Sequence, residues 1–219
     1  MPIAQMAKSF PTLSYQLFFE DHTPEAILEL GKNTTRTLRA TMRTVDSPPP
    51  RGFLSSNHSY LAPYDHIDPI PPIPFFTAEE EDYLVEQYAI QGFRNSKSLT
   101  SRLLAPELTY WCIALQFYTV GNKYLSWKFA HDQGNITIPQ PALSVIPYHD
   151  PVANWTIAAQ VLRTAEFLPN LKTVTLEGAH WIHLENPKHT NEAIREWLDG
   201  LPKEVKNGGG AKGRVRDEL

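Results

Sequence analysis

The stretch from Ala142 to Leu176 constrains this chain more than any other. Ala142 to Ile146 is a short apolar run between Pro141 and Pro147, which suits a buried strand. Ile157, Ala158, Val161, Leu162 and Ala165 then recur on one helical face, and a second strand, Leu171 to Leu176, follows the turn at Leu168-Pro169-Asn170. A strand, crossover helix and strand set two parallel strands side by side, and parallel strands are normally buried on both faces of a larger sheet. Two strands do not make such a sheet alone. The expected fold class is therefore α/β, with only part of a sheet inside the chain. A last helix opens at Asn186-Pro187, as cap and first position, and is expected to bury Ala193, Ile194, Trp197 and Leu198. Residues 141–201 thus read as a β-α-β-α unit, and 202–219, with Asn207-Gly208-Gly209-Gly210 and mixed charges, as a flexible tail.

Upstream, residues 1–140 read as a helical region. Thr23-Pro24 is a cap followed by a first-position proline, and Ile27, Leu30, Leu38 and Met42 continue at helical spacing to about Val45, with Gly31 and Asn33-Thr34-Thr35 weakening the middle. Residues 47–74 change to proline and polar side chains, from Pro48-Pro49-Pro50 to Pro74, and read as a long excursion loop of linker character. Thr77-Ala78-Glu79-Glu80 is a capping box that opens a second helix through Leu84 and Tyr88 toward Gly92.

Composition narrows the function classes. The chain has 219 residues, 42% hydrophobic and 20% charged, which is ordinary for a soluble globular protein. A net charge of -4 gives no basic excess for a nucleic acid partner. No run approaches the ~18 apolar residues of a membrane span, and Met1 to Ser9 holds no secretory leader. The lone Cys112 forms no internal disulfide and suggests no metal site, so a cytoplasmic location is expected. Four Asn-x-Ser/Thr sequons (Asn33, Asn57, Asn135, Asn154) and a terminal Arg-Asp-Glu-Leu give the endoplasmic reticulum as the alternative if an upstream leader exists.

The chemistry-bearing candidates stand at the strand ends. Tyr148-His149-Asp150 follows the first strand and Glu177-Gly178-Ala179-His180-Trp181 the second, where α/β proteins place catalytic groups. An Asp and a His on adjacent strand ends can form the orienting pair of a nucleophilic hydrolase, the carboxylate fixing the imidazole tautomer. The plainer alternative is a surface Asp and a backbone-bound histidine. His180 and His183 lack the further ligands that a metal site needs, and His149, His183 and His189 read as surface side chains or neighbours of the site. No metal or cofactor is expected.

Taken together, Asp150-Pro151-Val152, Leu168-Pro169-Asn170-Leu171-Lys172, the Glu177 turn, Glu185-Asn186-Pro187 and Ile194-Arg195-Glu196-Trp197-Leu198 resemble, in order, the last third of soluble-type epoxide hydrolases of the α/β-hydrolase fold. Phe10 to Phe19 is similar to that family's approach to its cap domain, and Phe76 to Arg94 to its cap helix and Gly-Phe-Arg turn. The resemblance implies a partial α/β-hydrolase fold: a helical cap over 1–140, then part of the core. It also implies an activity, hydration of a small-molecule epoxide to a vicinal diol through an ester intermediate. In that scheme two cap tyrosines hold and protonate the epoxide oxygen, and a histidine activates water. They correspond to Tyr15, Tyr118 and His180, with Asp150 as the orienting acid. A phenol suits the acid role because, with pKa about 10, it keeps its proton at neutral pH yet can donate to a developing alkoxide.

Two departures stand out. Between Arg94 and Tyr118 lie 118 − 94 − 1 = 23 residues where the family has few, so 95–114 reads as an insertion, of the kind a retained intron would leave. The family's nucleophile precedes the cap, and only nine residues precede Phe10; no nucleophile is therefore assigned, and the chain by itself is expected to be inactive. His131-Asp132-Gln133-Gly134 matches the nucleophile motif in letters but lacks the strand-turn-helix context an elbow requires. The alternative class is a non-catalytic interaction protein that self-associates or completes its sheet through an exposed strand edge.

Overall fold

The computed structural model describes residues 3–91, 115, 118–134 and 136–202. The expected insertion, Cys112, the Gly-Phe-Arg turn and the tail beyond Pro202 lie outside the described residues.

Five helices come first: α1 (Ile3–Ser9), α2 (Tyr15–Asp21), α3 (Thr23–Lys32), α4 (Thr34–Thr41) and α5 (Ala78–Gln91). The long helix expected from Thr23 is two. Asn33 takes an extended backbone and its Oδ1 accepts the Arg36 amide at 2.9 Å, which ends α3 and caps α4. The capping box at α5 forms in both directions: the Thr77 amide donates to Glu80 Oε2 at 2.8 Å and the Glu80 amide to Thr77 Oγ1 at 3.3 Å.

The Pro-rich segment is a loop, but a packed one rather than a linker. Phe53, Leu54, Tyr60, Leu61, Tyr64, Ile70 and Ile73 are all buried. Arg36, Arg39 and Arg43, spaced along one face running out of α4, hold it. Arg36 donates to the Ile67 and Tyr64 carbonyls at 2.9 and 2.6 Å, Arg39 to Ile70 at 3.3 Å, and Arg43 to Pro71 and Pro72 at 3.1 and 2.6 Å. Prolines offer carbonyls without amide donors, so a proline-rich backbone is matched by a donor-only side chain such as arginine. Arg39 also pairs with buried Glu81 of α5, whose second oxygen accepts the Ile73 amide at 2.7 Å.

Helix α6 (Val120–Asp132) leads to β1 (Ala142–Pro147), α7 (Trp155–Val161), α8 (Thr164–Phe167), β2 (Leu171–Leu176), α9 (Ile182–Glu185) and α10 (Pro187–Gly200). β1 and β2 pair in parallel, from Ala142 opposite Leu171 to Pro147 opposite Leu176, and form a two-stranded sheet among the described residues. The crossover helix breaks where one continuous stripe was expected: Arg163 adopts φ +55°, and α8 restarts after it. Of the expected apolar faces only Ala193 is buried; Ile157, Val161, Leu162, Ile194 and Leu198 stay exposed. Two strands offer too little surface to cover them. The part is mixed helix and parallel sheet, and no described helix is long and apolar enough to cross a membrane.

Candidate functional site

The β1–β2 register sets the site. Pairing ends at Pro147 and Leu176, and the ladder is continued by the Tyr148 amide to the Leu176 carbonyl at 2.9 Å and the His149 amide to Gly178 at 3.0 Å. Both chains therefore leave the sheet together, and Asp150 and His180 meet at its carboxyl edge. His180 Nδ1 lies 2.8 Å from Asp150 Oδ2. A carboxylate only accepts, so Nδ1 carries the proton and Nε2 is left as the basic nitrogen. Nε2 makes no hydrogen bond among the described residues.

Asp150 is held on three sides. Oδ2 also accepts the Trp155 indole N–H at 2.6 Å, and Oδ1 accepts the Val152 amide at 2.8 Å. Its side chain is 1% exposed against 42% for His180. Burial pushes the carboxyl up, but the bonds from His180 and Trp155, the electrostatic pull of His180 and the Val152 amide outweigh it and hold Asp150 below its ordinary value. Sequence reasoning missed Trp155. The signal was present: Asn154 caps α7 through the Ile157 amide at 3.1 Å, which places Trp155 at the first helical position, close over the Asp-Pro-Val turn.

Tyr15, at the start of α2, and Tyr118 meet edge to face with ring centroids 5.9 Å apart. Burial, then the neighbouring Tyr118 and a hydrogen bond shared with it, push the Tyr15 phenol far above its ordinary value, against an opposing bond from Gln16, whose amide donates to the Tyr15 hydroxyl at 3.5 Å. Tyr15 therefore holds its proton throughout the working pH range. A third phenol, Tyr60 from the Pro-rich loop, packs against Tyr15 at 6.1 Å and donates to Thr41 Oγ1 at 3.3 Å. No periodicity in that loop pointed to it.

Tyr15, Tyr118 and His180 line one cavity of about 440 Å³, walled also by Phe19, Phe53, Tyr60, Tyr88 and Trp181. The volume falls within the ordinary range for small-molecule sites. One bond ties two lining residues together, the Trp181 indole donating to the Thr41 carbonyl at 3.0 Å, and the Thr12 hydroxyl donates to the carbonyl of lining residue Val152 at 2.7 Å.

The remaining candidates stand apart. Asp132 pairs with Lys128 on the exposed end of α6 and does not line the cavity. His149 pairs with Glu177 at 2.9 Å, His189 Nδ1 sits 2.6 Å from Asn186 Oδ1, and His183 packs beside Trp181. Among the described residues no group of three His, Cys, Asp or Glu side chains is placed to hold a metal ion. No family model matches the chain, and no curated protein matches it either.

Proposed function

We propose that this chain is an epoxide hydrolase homologue that carries the proton-transfer groups of the reaction, arranged as part of an α/β-hydrolase fold. The observation that carries the reading is the shared cavity: two phenols on one wall and an Asp-anchored imidazole on another. Ring opening breaks a carbon–oxygen bond and leaves an alkoxide, which is basic enough to take a proton from Tyr118 or from Tyr15, whose phenol burial pushes up. A water that hydrolyses the ester gives its proton to His180 Nε2, and Asp150 stabilises the imidazolium that forms. Aromatic walls suit an apolar epoxide.

The resemblance assigns no nucleophile within these 219 residues, and this chain by itself is proposed to release no diol. The test is diol release from a simple aryl epoxide, with His180→Ala as control. Turnover that depends on His180 would overturn the proposed lack of a nucleophile, whereas failure of the aryl diol to bind the cavity at all would overturn the epoxide reading.

A second reading is favoured by the sheet. β1 pairs on one side only among the described residues, and Ile157, Val161, Leu162, Ile194 and Leu198 stand exposed around it. An unpaired strand edge is a template for another strand, and under this reading the chain self-associates through β1. Size-exclusion chromatography decides it, and a concentration-independent monomer would count against it.

A further inference from the structure

We propose that Glu185 is a positioning residue for His180: its carboxylate ties the histidine turn to the segment leaving α4 and thereby sets where the imidazole stands in the cavity. The proposal rests on reading His180 as the base.

Glu185 ends α9, and both of its oxygens are spent on backbone amides. Oε2 accepts the Ala179 amide at 2.6 Å and Oε1 the Val45 amide at 2.9 Å, two segments far apart in sequence. Ala179 immediately precedes His180. Val45 follows α4, whose Thr37 and Thr41 line the same cavity. One side chain therefore bridges the turn that carries the base and the segment leaving the helix that supplies Thr37 and Thr41 to the lining. Glu185 makes no ion pair among the described residues, so the two amides hold its charge, and hydrogen bonds to an ionised acceptor are the stronger kind.

The turn is shaped to permit this contact. Gly178 has φ +151°, a conformation open to glycine, and a Cβ there would stand 3.3 Å from Glu185 Oε2 and 2.2 Å from Ile182 Cδ1. The His180 side chain is 42% exposed, so packing alone does not fix the ring. Its place is set by Asp150 at one end and by the backbone of the turn at the other, and Glu185 holds that backbone. The residue type matters: aspartate is one methylene short of spanning both amides, and glutamine turns one acceptor into a donor facing an N–H.

The experiment compares wild type with Glu185→Ala, Glu185→Gln and the control Glu177→Ala, reading amide exchange at Ala179 and Val45 and the His180 Nδ1 proton by NMR. Glu185→Ala is expected to speed exchange at both amides roughly tenfold or more and to broaden the Nδ1 proton. Glu185→Gln is expected to protect one amide and free the other, and Glu177→Ala to change none of the three signals. An unaltered Nδ1 proton in Glu185→Ala, or two protected amides in Glu185→Gln, would overturn the proposal. So would an even loss of protection across β1 and β2, the mark of a merely structural residue. None of these signals depends on an epoxide, so failure of the epoxide reading in the diol assay leaves them to be judged separately.

Discussion

The Trp155 indole and the His180 imidazole converge on a single oxygen of Asp150, at 2.6 and 2.8 Å. Two donors on one oxygen fix the carboxylate plane and leave Oδ1 for the Val152 amide. Trp155→Phe keeps the ring and deletes the donor. It is expected to cost about 1–2 kcal/mol in denaturant unfolding and to raise the Asp150 pKa, read from the carboxyl carbon shift.

The same carboxylate gives a pH dependence whose sign follows from the direction of its shift. Asp150 is held below its ordinary 3.8 in the folded chain, so its stabilisation is complete above the unfolded value and disappears as pH falls through the folded one. Stability measured against Asp150→Asn is therefore expected to show its widest gap above about pH 5 and to narrow on acidification below 3.8. A gap that widens in acid would reverse the assignment.

How much of this was legible depends on where the determining interactions lie. Strand limits, the parallel pair and the Asp150–His180 meeting follow from local patterns plus one rule about where crossovers return. The Thr77 capping box is equally local. The loop at 47–74 was not legible in the same way. Its order comes from arginines on and just beyond α4 reaching carbonyls 28 to 31 residues away, and nothing in a proline-rich stretch announces its partner. Tyr60 was missed for that reason. The break of the crossover helix at Arg163 was missed too, since an apolar stripe states which face is sticky without stating how much surface is there to cover it.

Glu81 supports that loop from the α5 side. It is 3% exposed, pairs with Arg39 and accepts the Ile73 amide. Glu81→Ala leaves a partly buried guanidinium and a buried amide without their acceptor, and removing one partner of a buried pair costs about 3–5 kcal/mol. We expect a loss near the lower figure, because Arg39 keeps its bond to the Ile70 carbonyl. Calorimetry checks it, and the 47–74 segment should become the first site of limited proteolysis.

The tyrosines separate binding from stability. Tyr15 is buried, its hydroxyl bonded to Tyr118 and reached by Gln16 at 3.5 Å. In Tyr15→Phe the ring contacts with Phe19 at 5.4 Å and Tyr118 at 5.9 Å remain, so the expected loss of stability is only about 1 kcal/mol. A ligand oxygen loses a donor that burial keeps protonated, and the affinity of an aryl vicinal diol should fall about tenfold, equal to about 1.4 kcal/mol. Tyr60→Phe provides the contrast. Its hydroxyl bonds Thr41 Oγ1 at 3.3 Å and has no part in holding the ligand oxygen in the proposed reaction, so diol affinity measured by calorimetric titration should stay within about twofold while stability falls. If both variants weakened the diol equally, the loss would not be specific to the Tyr15 hydroxyl, and Tyr15 would lose its place as the donor.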